Sequence, residues 1–118
     1  ILYGETDPDV IWKNHIRQYC DSFILTQGAD GVALRTGSLR SFRPSQKIET
    51  VSTIGAGDNF NAGIIYGIVR HDLSRDDISL LSQEMWDRLI GYGIDFGSNV
   101  CQSTDNYISM DFARKYRL

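Results

Sequence analysis

The sequence predicts an α/β fold, because short apolar segments bounded by glycine turns are followed by two long segments whose apolar residues recur at helical spacing. The chain has 118 residues, which fits one domain or part of one, and 42% of them are hydrophobic. That fraction is enough for a packed core and is not typical of a disordered chain.

The first part of the chain predicts one helix and three strands. Asp7-Pro8 is typical of a helix start, with aspartate as the N-cap and proline at the first helical position. Trp12, Ile16 and Tyr19 then fall on one helical face. The predicted strands cover Ser22–Thr26, Val32–Leu34 and Leu39–Phe42, with turns between them.

A helix from about residue 58 to residue 70 is the strongest element of the second part, after an extended segment at 48–53 and a glycine turn. Its broad apolar stripe predicts a buried helix and consists of Phe60, Ile64, Ile65, Ile68 and Val69. Gly63 and Gly67 lie one turn apart and predict close approach of another backbone, since glycine costs about 1 kcal/mol relative to alanine in a helix.

Three further helices are predicted after this one. Ser74, followed by two aspartates, is typical of a helix start. Residues 83–100 predict a longer helix with an apolar stripe of Met85, Leu89, Tyr92 and Phe96. Ser109 is predicted to cap a last short helix that packs through Phe112 and Tyr116.

Composition excludes several classes of function. The net charge is −3 and no basic stripe is present, which disfavours nucleic acid as a partner. Cys20 and Cys101 form no CxxC pair, so neither a zinc site nor a disulfide framework is expected. We expect the protein to lie in a reducing cytoplasm. The longest apolar stretch, residues 62–69, is too short for a membrane span. Because ordered-looking sequence begins at Ile1, we expect a piece of a longer protein.

Residues 53–63 contain the motif that predicts an anion-binding site. They form a glycine turn that leads into the N-terminus of a buried helix, where backbone N–H groups lack helical acceptors and the helix dipole adds partial positive charge. Glycine lets a phosphate approach the backbone. Gly55, Ala56 and Gly57 are therefore predicted to donate N–H groups to an anion.

Asp58 makes this segment more than an anion site. A carboxylate next to bound phosphate is repelled by it, so its presence favours a role with a proton, a metal or a hydroxyl group. A general base typically contributes about 10²- to 10⁴-fold. Two other phosphate motifs are absent: no glycine precedes a lysine as in a P-loop, and Phe60 stands where a dinucleotide motif needs its third glycine.

The run Gly55-Ala56-Gly57-Asp58-x-Phe60-x-Ala62-Gly63 resembles the C-terminal signature of PfkB carbohydrate kinases, which include ribokinase, fructokinase and 2-keto-3-deoxygluconate kinase. Residues 25–31, Leu-Thr-Gln-Gly-Ala-Asp-Gly, are similar to the strand and turn that line the family's nucleotide site. The resemblance implies the C-terminal part of a ribokinase-like three-layer α/β/α sandwich, with residues 1–118 belonging to a single kinase domain.

The same resemblance implies an ATP-dependent kinase for a hydroxyl group of a small sugar or sugar acid, with Mg²⁺ accompanying ATP. Asp58 would be the base, and the amides of residues 55–57 the anion hole. The residues implied to approach ATP are Thr26, Gly28 and Gly31, with Asn99 and Ser103 near the adenine. The resemblance is also compatible with a homodimer of the full-length protein.

The chain departs from the family pattern in three respects. Ser52 stands where many members have an aspartate that helps bind a monovalent cation, and Asp105-Asn106 replaces a Gly-Ala pair. Cation activation is therefore not carried over to this chain. The sugar site, the lid and an Asn-x-x-Glu motif linked to magnesium are also missing from these residues, so the isolated fragment is expected to be inactive.

Alternatives remain open at this stage. The same fold serves nucleoside and vitamin kinases, and a non-catalytic nucleotide-binding module could keep it without turnover. The Gly55–Asp58 segment could be an ordinary capped turn, and Gly28–Gly31 a plain hairpin turn. His15 and His71 are interpreted as packing or surface residues rather than ligands.

Overall fold

The computed structural model describes residues 2–118, which divide into two compact units, Ile1–Ser45 and Gln46–Leu118. The first unit contains α1 (Pro8–Ile11) and three strands, β1 (Ser22–Thr26), β2 (Val32–Thr36) and β3 (Arg40–Arg43). The second contains only helices: α2 (Ala56–Arg70), α3 (Arg75–Ile78), α4 (Gln83–Cys101) and α5 (Met110–Lys115). Helices and a small antiparallel sheet in one chain confirm the predicted α/β class.

Helix α1 begins as predicted. The Asp7 carboxylate accepts a hydrogen bond from the Asp9 N–H at 2.8 Å, and Pro8 occupies the first position. The helix then widens into a π-helical turn at Trp12–Ile16. This change of period moves Tyr19 off the packed face, and its side chain is 80% exposed. The prediction that Tyr19 lies on one helical face with Trp12 and Ile16 is therefore wrong, and the buried residue of this segment is Ile11.

The three strands form an antiparallel sheet in the order β1–β2–β3. Ile24 pairs with Leu34 between the first two strands, and Leu34 pairs with Ser41 between the last two. The central strand β2 carries the core of this unit, since Val32, Ala33 and Leu34 are all buried. The predicted third strand is correct to within one residue.

A buried cation joins α1 to the sheet. The Arg35 guanidinium on β2 donates to the Asp9 carboxylate at 2.6 Å and to the carbonyls of Leu34 and Ser41 at 2.7 and 3.1 Å. Arg40 on β3 binds the other oxygen of Asp9 at 2.7 Å. Arg40 and then Arg35 hold the pKa of the Asp9 carboxyl well below its usual range. This network compensates the cost of burying the Arg35 charge.

Helices α2 and α4 cross with their backbones in contact. A Cβ atom added to Gly63 would lie 2.7 Å from Cα of Gly93, and closer still to the Tyr92 carbonyl. A Cβ atom added to Gly67 would lie 2.6 Å from side-chain atoms of both Leu89 and Tyr92. The predicted close approach of another backbone is thus confirmed at Gly63, whereas Gly67 lies against side chains of α4.

The prediction that α2 is buried over its whole apolar stripe is wrong. Phe60, Gly63 and Gly67 are buried against α4, whereas Ile65 and Val69 are 60% and 55% exposed. The physical reason is that α4 covers one face of α2, and residues 65 and 69 project from the other. Of the predicted α4 stripe, Leu89 and Phe96 are buried and Met85 and Tyr92 are half-buried. The buried residues of α4 are Trp86, Leu89, Ile90, Gly93, Ile94, Phe96, Gly97 and Val100.

The short helices begin at the predicted caps. Ser74 and Asp77 form a reciprocal capping box at α3, and the Ser109 hydroxyl accepts from the Phe112 N–H at α5. Phe112 and Tyr116 then pack on Phe96 with ring centroids 5.2 and 5.1 Å away, as predicted.

Tyr116 also donates its hydroxyl proton to the Asp95 carboxylate at 2.9 Å. Burial and then this hydrogen bond raise the pKa of Tyr116 to about 12. The ring of Tyr116 thereby connects α5 to α4 through both apolar and polar contacts.

Candidate active site

The turn before α2 requires glycine at position 55. Gly55 is the N-cap and has φ of 82°, in the left-handed region that other residues rarely adopt. A Cβ atom there would also lie 3.2 Å from the Asn106 carbonyl oxygen. Gly55 is thus fixed both by its backbone conformation and by its contact with the segment after α4.

The backbone N–H groups after this turn are only partly engaged. The Ala56 N–H donates to the Thr53 carbonyl at 3.2 Å, so the prediction of an available amide at Ala56 is wrong for this conformation. Within residues 2–118, the N–H groups of Gly55, Gly57 and Asp58 meet no acceptor. These three lie at the positive end of α2, where an anion is favoured.

The Asp58 side chain is exposed and stands in the first turn of α2. It makes no hydrogen bond or ion pair with another residue of the described part of the chain. Gly57 beside it faces open space, because an added Cβ atom would meet nothing within 4 Å. A carboxylate without a partner, next to available N–H groups and an open approach, can accept a proton from a hydroxyl group that lies beside an anion held at those amides.

The segment that follows α4 lies against this turn. The N–H groups of Val51 and Ser52 both donate to the Cys101 carbonyl, at 2.8 and 3.2 Å. Asn99 and Ser103, predicted near the adenine, are half-buried in this same region. Their side-chain oxygens accept hydrogen bonds from backbone N–H groups of Ser109 and Asp105, respectively. Both side chains therefore have a local structural role.

Thr26, Gly28 and Gly31 belong to the first unit. They flank a hairpin turn closed by a hydrogen bond from the Gln27 N–H to the Gly31 carbonyl at 2.8 Å, so the hairpin is present as expected. Thr26 and Gly28 are exposed and open to a ligand. Gly31 is buried, and a Cβ atom there would lie 2.8 Å from the Phe42 ring, so packing accounts for its identity.

Asn59 is the residue of this region that sequence reasoning missed. Its side-chain amide contacts the carbonyls of Gly55 and Asn106, and the second of these is 47 residues away in sequence. An asparagine inside a helix gives no local signal of such a contact. Only its position one residue after Asp58 could have drawn attention to it.

The described residues 2–118 contain no group of three or more His, Cys, Asp or Glu side chains that could hold a metal ion. Within the same part of the chain, no helix combines the length and apolarity needed to cross a membrane.

Comparison with known proteins gives a family match. Residues 5–111 match the sequence pattern of the pfkB family carbohydrate kinases. The ribokinase of Lactococcus lactis is 30% identical over 76 residues, which is 64% of this chain and 25% of that protein. The aminoimidazole riboside kinase of Salmonella typhimurium is 37% identical over 51 residues, 43% of this chain and 16% of that protein.

Solved structures give the same fold. Aminoimidazole riboside kinase from Salmonella enterica, complexed with aminoimidazole riboside and an ATP analog, superposes with a TM-score of 0.75 at 20% identity. The superposition covers 98% of this chain and 38% of that one. The architecture is therefore part of the ribokinase-like fold, and the chain spans well under half the length of the relatives it matches.

Proposed function

Since this chain belongs to the pfkB family of carbohydrate kinases, we propose that it supplies the phosphate turn and the catalytic base of an ATP-dependent kinase acting on a hydroxyl group of a small sugar or sugar acid. In this proposal residues 1–118 are the C-terminal portion of one kinase domain. The sugar site and the lid belong to the remainder. The observation that carries it is the unpaired, exposed Asp58 carboxylate beside the available amides of Gly57 and Asp58.

Asp58 is proposed to take the proton of the acceptor hydroxyl as its oxygen attacks the γ-phosphorus of ATP. The bond between that phosphorus and the β–γ bridging oxygen breaks, and ADP leaves with the bonding electrons. The N–H groups of Gly55, Gly57 and Asp58 would donate to the phosphoryl oxygens as charge develops on them. Removal of one such donor typically lowers kcat by about 10²- to 10³-fold.

Thr26 and Gly28 are proposed to contact the nucleotide, because both are exposed at the end of β1 and its turn. Asn99 and Ser103 would shape the wall of the adenine site through their backbone, since their side-chain oxygens are engaged locally. No step of the reaction is assigned to a metal. Magnesium would arrive bound to ATP. The full-length kinase would work in the cytoplasm. It is also predicted to form a homodimer, which light scattering can test.

A riboside acceptor is the second candidate. It is favoured by the similarity to aminoimidazole riboside kinase in both sequence and structure. The residues that would separate a free sugar from a riboside lie in the sugar site, so the acceptor has to be identified by assay.

The test uses the full-length protein with a panel of sugars, sugar acids and ribosides, followed by coupled ADP release. Asp58→Asn should lower kcat by at least about 100-fold and leave ATP binding intact, because only the proton acceptor is lost. Asp76→Asn is the matched control, since Asp76 is also an exposed carboxylate in the first turn of a helix. Near-normal turnover by Asp58→Asn would show that Asp58 is not the base.

A further inference from the structure

Asn59 connects two segments that are far apart in sequence. Its Nδ2 atom donates to the Gly55 carbonyl at 2.9 Å and to the Asn106 carbonyl at 3.2 Å. Both partners are acceptors, so the amide nitrogen must face them and the amide oxygen must face away. The side chain is half-buried between the turn before α2 and the segment after α4.

The Gly55 carbonyl receives a second hydrogen bond from the same residue. The Asn59 backbone N–H donates to it at 3.0 Å. Two donors from one residue fix the plane of the peptide between Gly55 and Ala56, and its N–H on the opposite side points to the Thr53 carbonyl. The orientation of this peptide sets where the first turn of α2 starts, and so where the Gly57 and Asp58 N–H groups point.

We propose that Asn59 is a positioning residue that ties the phosphate turn, residues 53–57, to the segment 102–107 and holds both in the geometry needed for phosphoryl transfer. That Asn59 supports catalysis rests on the proposed function, whereas the connection that Asn59 makes between the two segments does not. Asn59 touches neither nucleotide nor acceptor in this assignment. It acts through the Gly55–Ala56 peptide.

The two segments are already in van der Waals contact. A Cβ atom added to Gly55 would lie 3.6 Å from Cα of Asn106 as well as 3.2 Å from its oxygen. The Asp105 N–H donates to the Ser103 hydroxyl at 3.2 Å, which folds the segment locally but does not hold it against the turn. The Asn59 amide supplies the polar connection. Its loss takes this donor from the Asn106 carbonyl and leaves the Gly55 carbonyl with the Asn59 backbone N–H as its remaining donor.

The test compares Asn59→Ala and Asn59→Asp in the full-length protein. Aspartate has nearly the shape of asparagine but sets a carboxylate against two carbonyls, so a steric role predicts wild-type behaviour and a hydrogen-bonding role predicts a loss. Aspartate near a helix N-terminus is otherwise favoured by the dipole, which makes a loss more telling. Asn61→Ala and Asn61→Asp are matched controls, because Asn61 is exposed and makes no side-chain hydrogen bond within residues 2–118.

We expect both Asn59 variants to lower kcat by about 10- to 100-fold with the acceptor KM changed by less than about twofold, as for misplaced catalytic groups. Hydrogen exchange, measured without substrates, should become faster in peptides covering residues 53–57 and 102–107 together. Neither Asn61 variant should do this. If Asn59→Asp fails to fold, kcat and hydrogen exchange are both measured on Asn59→Ala.

Unchanged exchange at residues 102–107 in Asn59→Ala would overturn the tie. Faster exchange with kcat retained would overturn the positioning role. If the wild-type protein phosphorylates no member of the acceptor panel, the proposed function fails, while the exchange measurement still decides whether Asn59 joins the two segments.

Discussion

The crossing of α2 and α4 predicts that Gly63→Ala is strongly destabilising. A Cβ atom at this position would lie 2.6 Å from the Tyr92 carbonyl carbon and 2.7 Å from Cα of Gly93. Both atoms belong to the α4 backbone, so no change of side-chain rotamer relieves the clash and the helices must move apart. Overpacking costs about 1–3 kcal/mol, and contact with backbone places this case at the upper end.

Alanine also favours the helix over glycine by about 1 kcal/mol, which offsets part of this cost. The net expectation is a loss of about 2 kcal/mol in the free energy of unfolding, or about 30-fold in the folding equilibrium. Urea unfolding of the full-length protein measures it, with the fluorescence of Trp86, buried on α4, as a local probe.

Gly57→Ala is the matched control for this experiment, since it is the same substitution in the same helix. An added Cβ atom there meets nothing within 4 Å. Its unfolding free energy should stay equal to the wild-type value or rise by up to about 1 kcal/mol. A Gly63→Ala protein as stable as the Gly57→Ala protein would refute the tight crossing.

Three further outcomes are expected. Gly57→Ala should lower kcat by about tenfold or more in the coupled assay while the fold stays intact, because its methyl group occupies the approach to the free amides. Asp9→Asn should destabilise the protein at neutral pH, because the ionised Asp9 carboxylate binds both arginines in the folded state. The difference in unfolding free energy between wild type and variant should be complete above the pKa of an unfolded aspartate, about 4. It should disappear as the pH falls through the lowered pKa of Asp9 in the folded protein. Tyr116→Phe should remove phenolate absorbance from the high-pH part of the titration, because burial and the hydrogen bond to Asp95 raise the pKa of Tyr116 to about 12. The stability from its hydrogen bond to Asp95 is complete below about pH 10 and lost as the pH rises through about 12.

Each of these has a contrary result. Full activity in Gly57→Ala would exclude a phosphoryl group at those amides. A difference between Asp9→Asn and wild type that widens toward acid would contradict the lowered pKa of Asp9. A loss of phenolate absorbance confined to the lower-pH part of the titration in Tyr116→Phe would contradict the raised pKa of Tyr116.

The helix starts could be predicted because their signals are local. Asp7, Ser74 and Ser109 each cap a helix through a hydrogen bond to a backbone N–H two or three residues away. The apolar stripe of α2 was less informative, since periodicity shows that a face is apolar but not which neighbour covers it. Ile65 and Val69 belong to the apolar stripe but are exposed, because α4 covers the other face of α2.

The candidate site divides in the same way. The left-handed Gly55 and the exposed Asp58 follow from a short motif, because the turn and the helix start lie within a few residues of each other. The engagement of the Ala56 N–H depends on how the Gly55–Ala56 peptide is rotated. The contact of Asn59 with Asn106 depends on the path of the chain after α4, which no local pattern specifies.

The glycines where α2 meets α4 also bear on how the site responds to disturbance. A layer of side chains between two helices absorbs small displacements by changing rotamers. Two backbones in direct contact have no such freedom, so a displacement of one helix moves the other. A shift of α4 near Tyr92 and Gly93 is therefore passed on to α2, and with it to the turn at its N-terminal tip. Substitutions deep in α4, distant from any reacting atom, should then alter turnover before they alter solubility or expression.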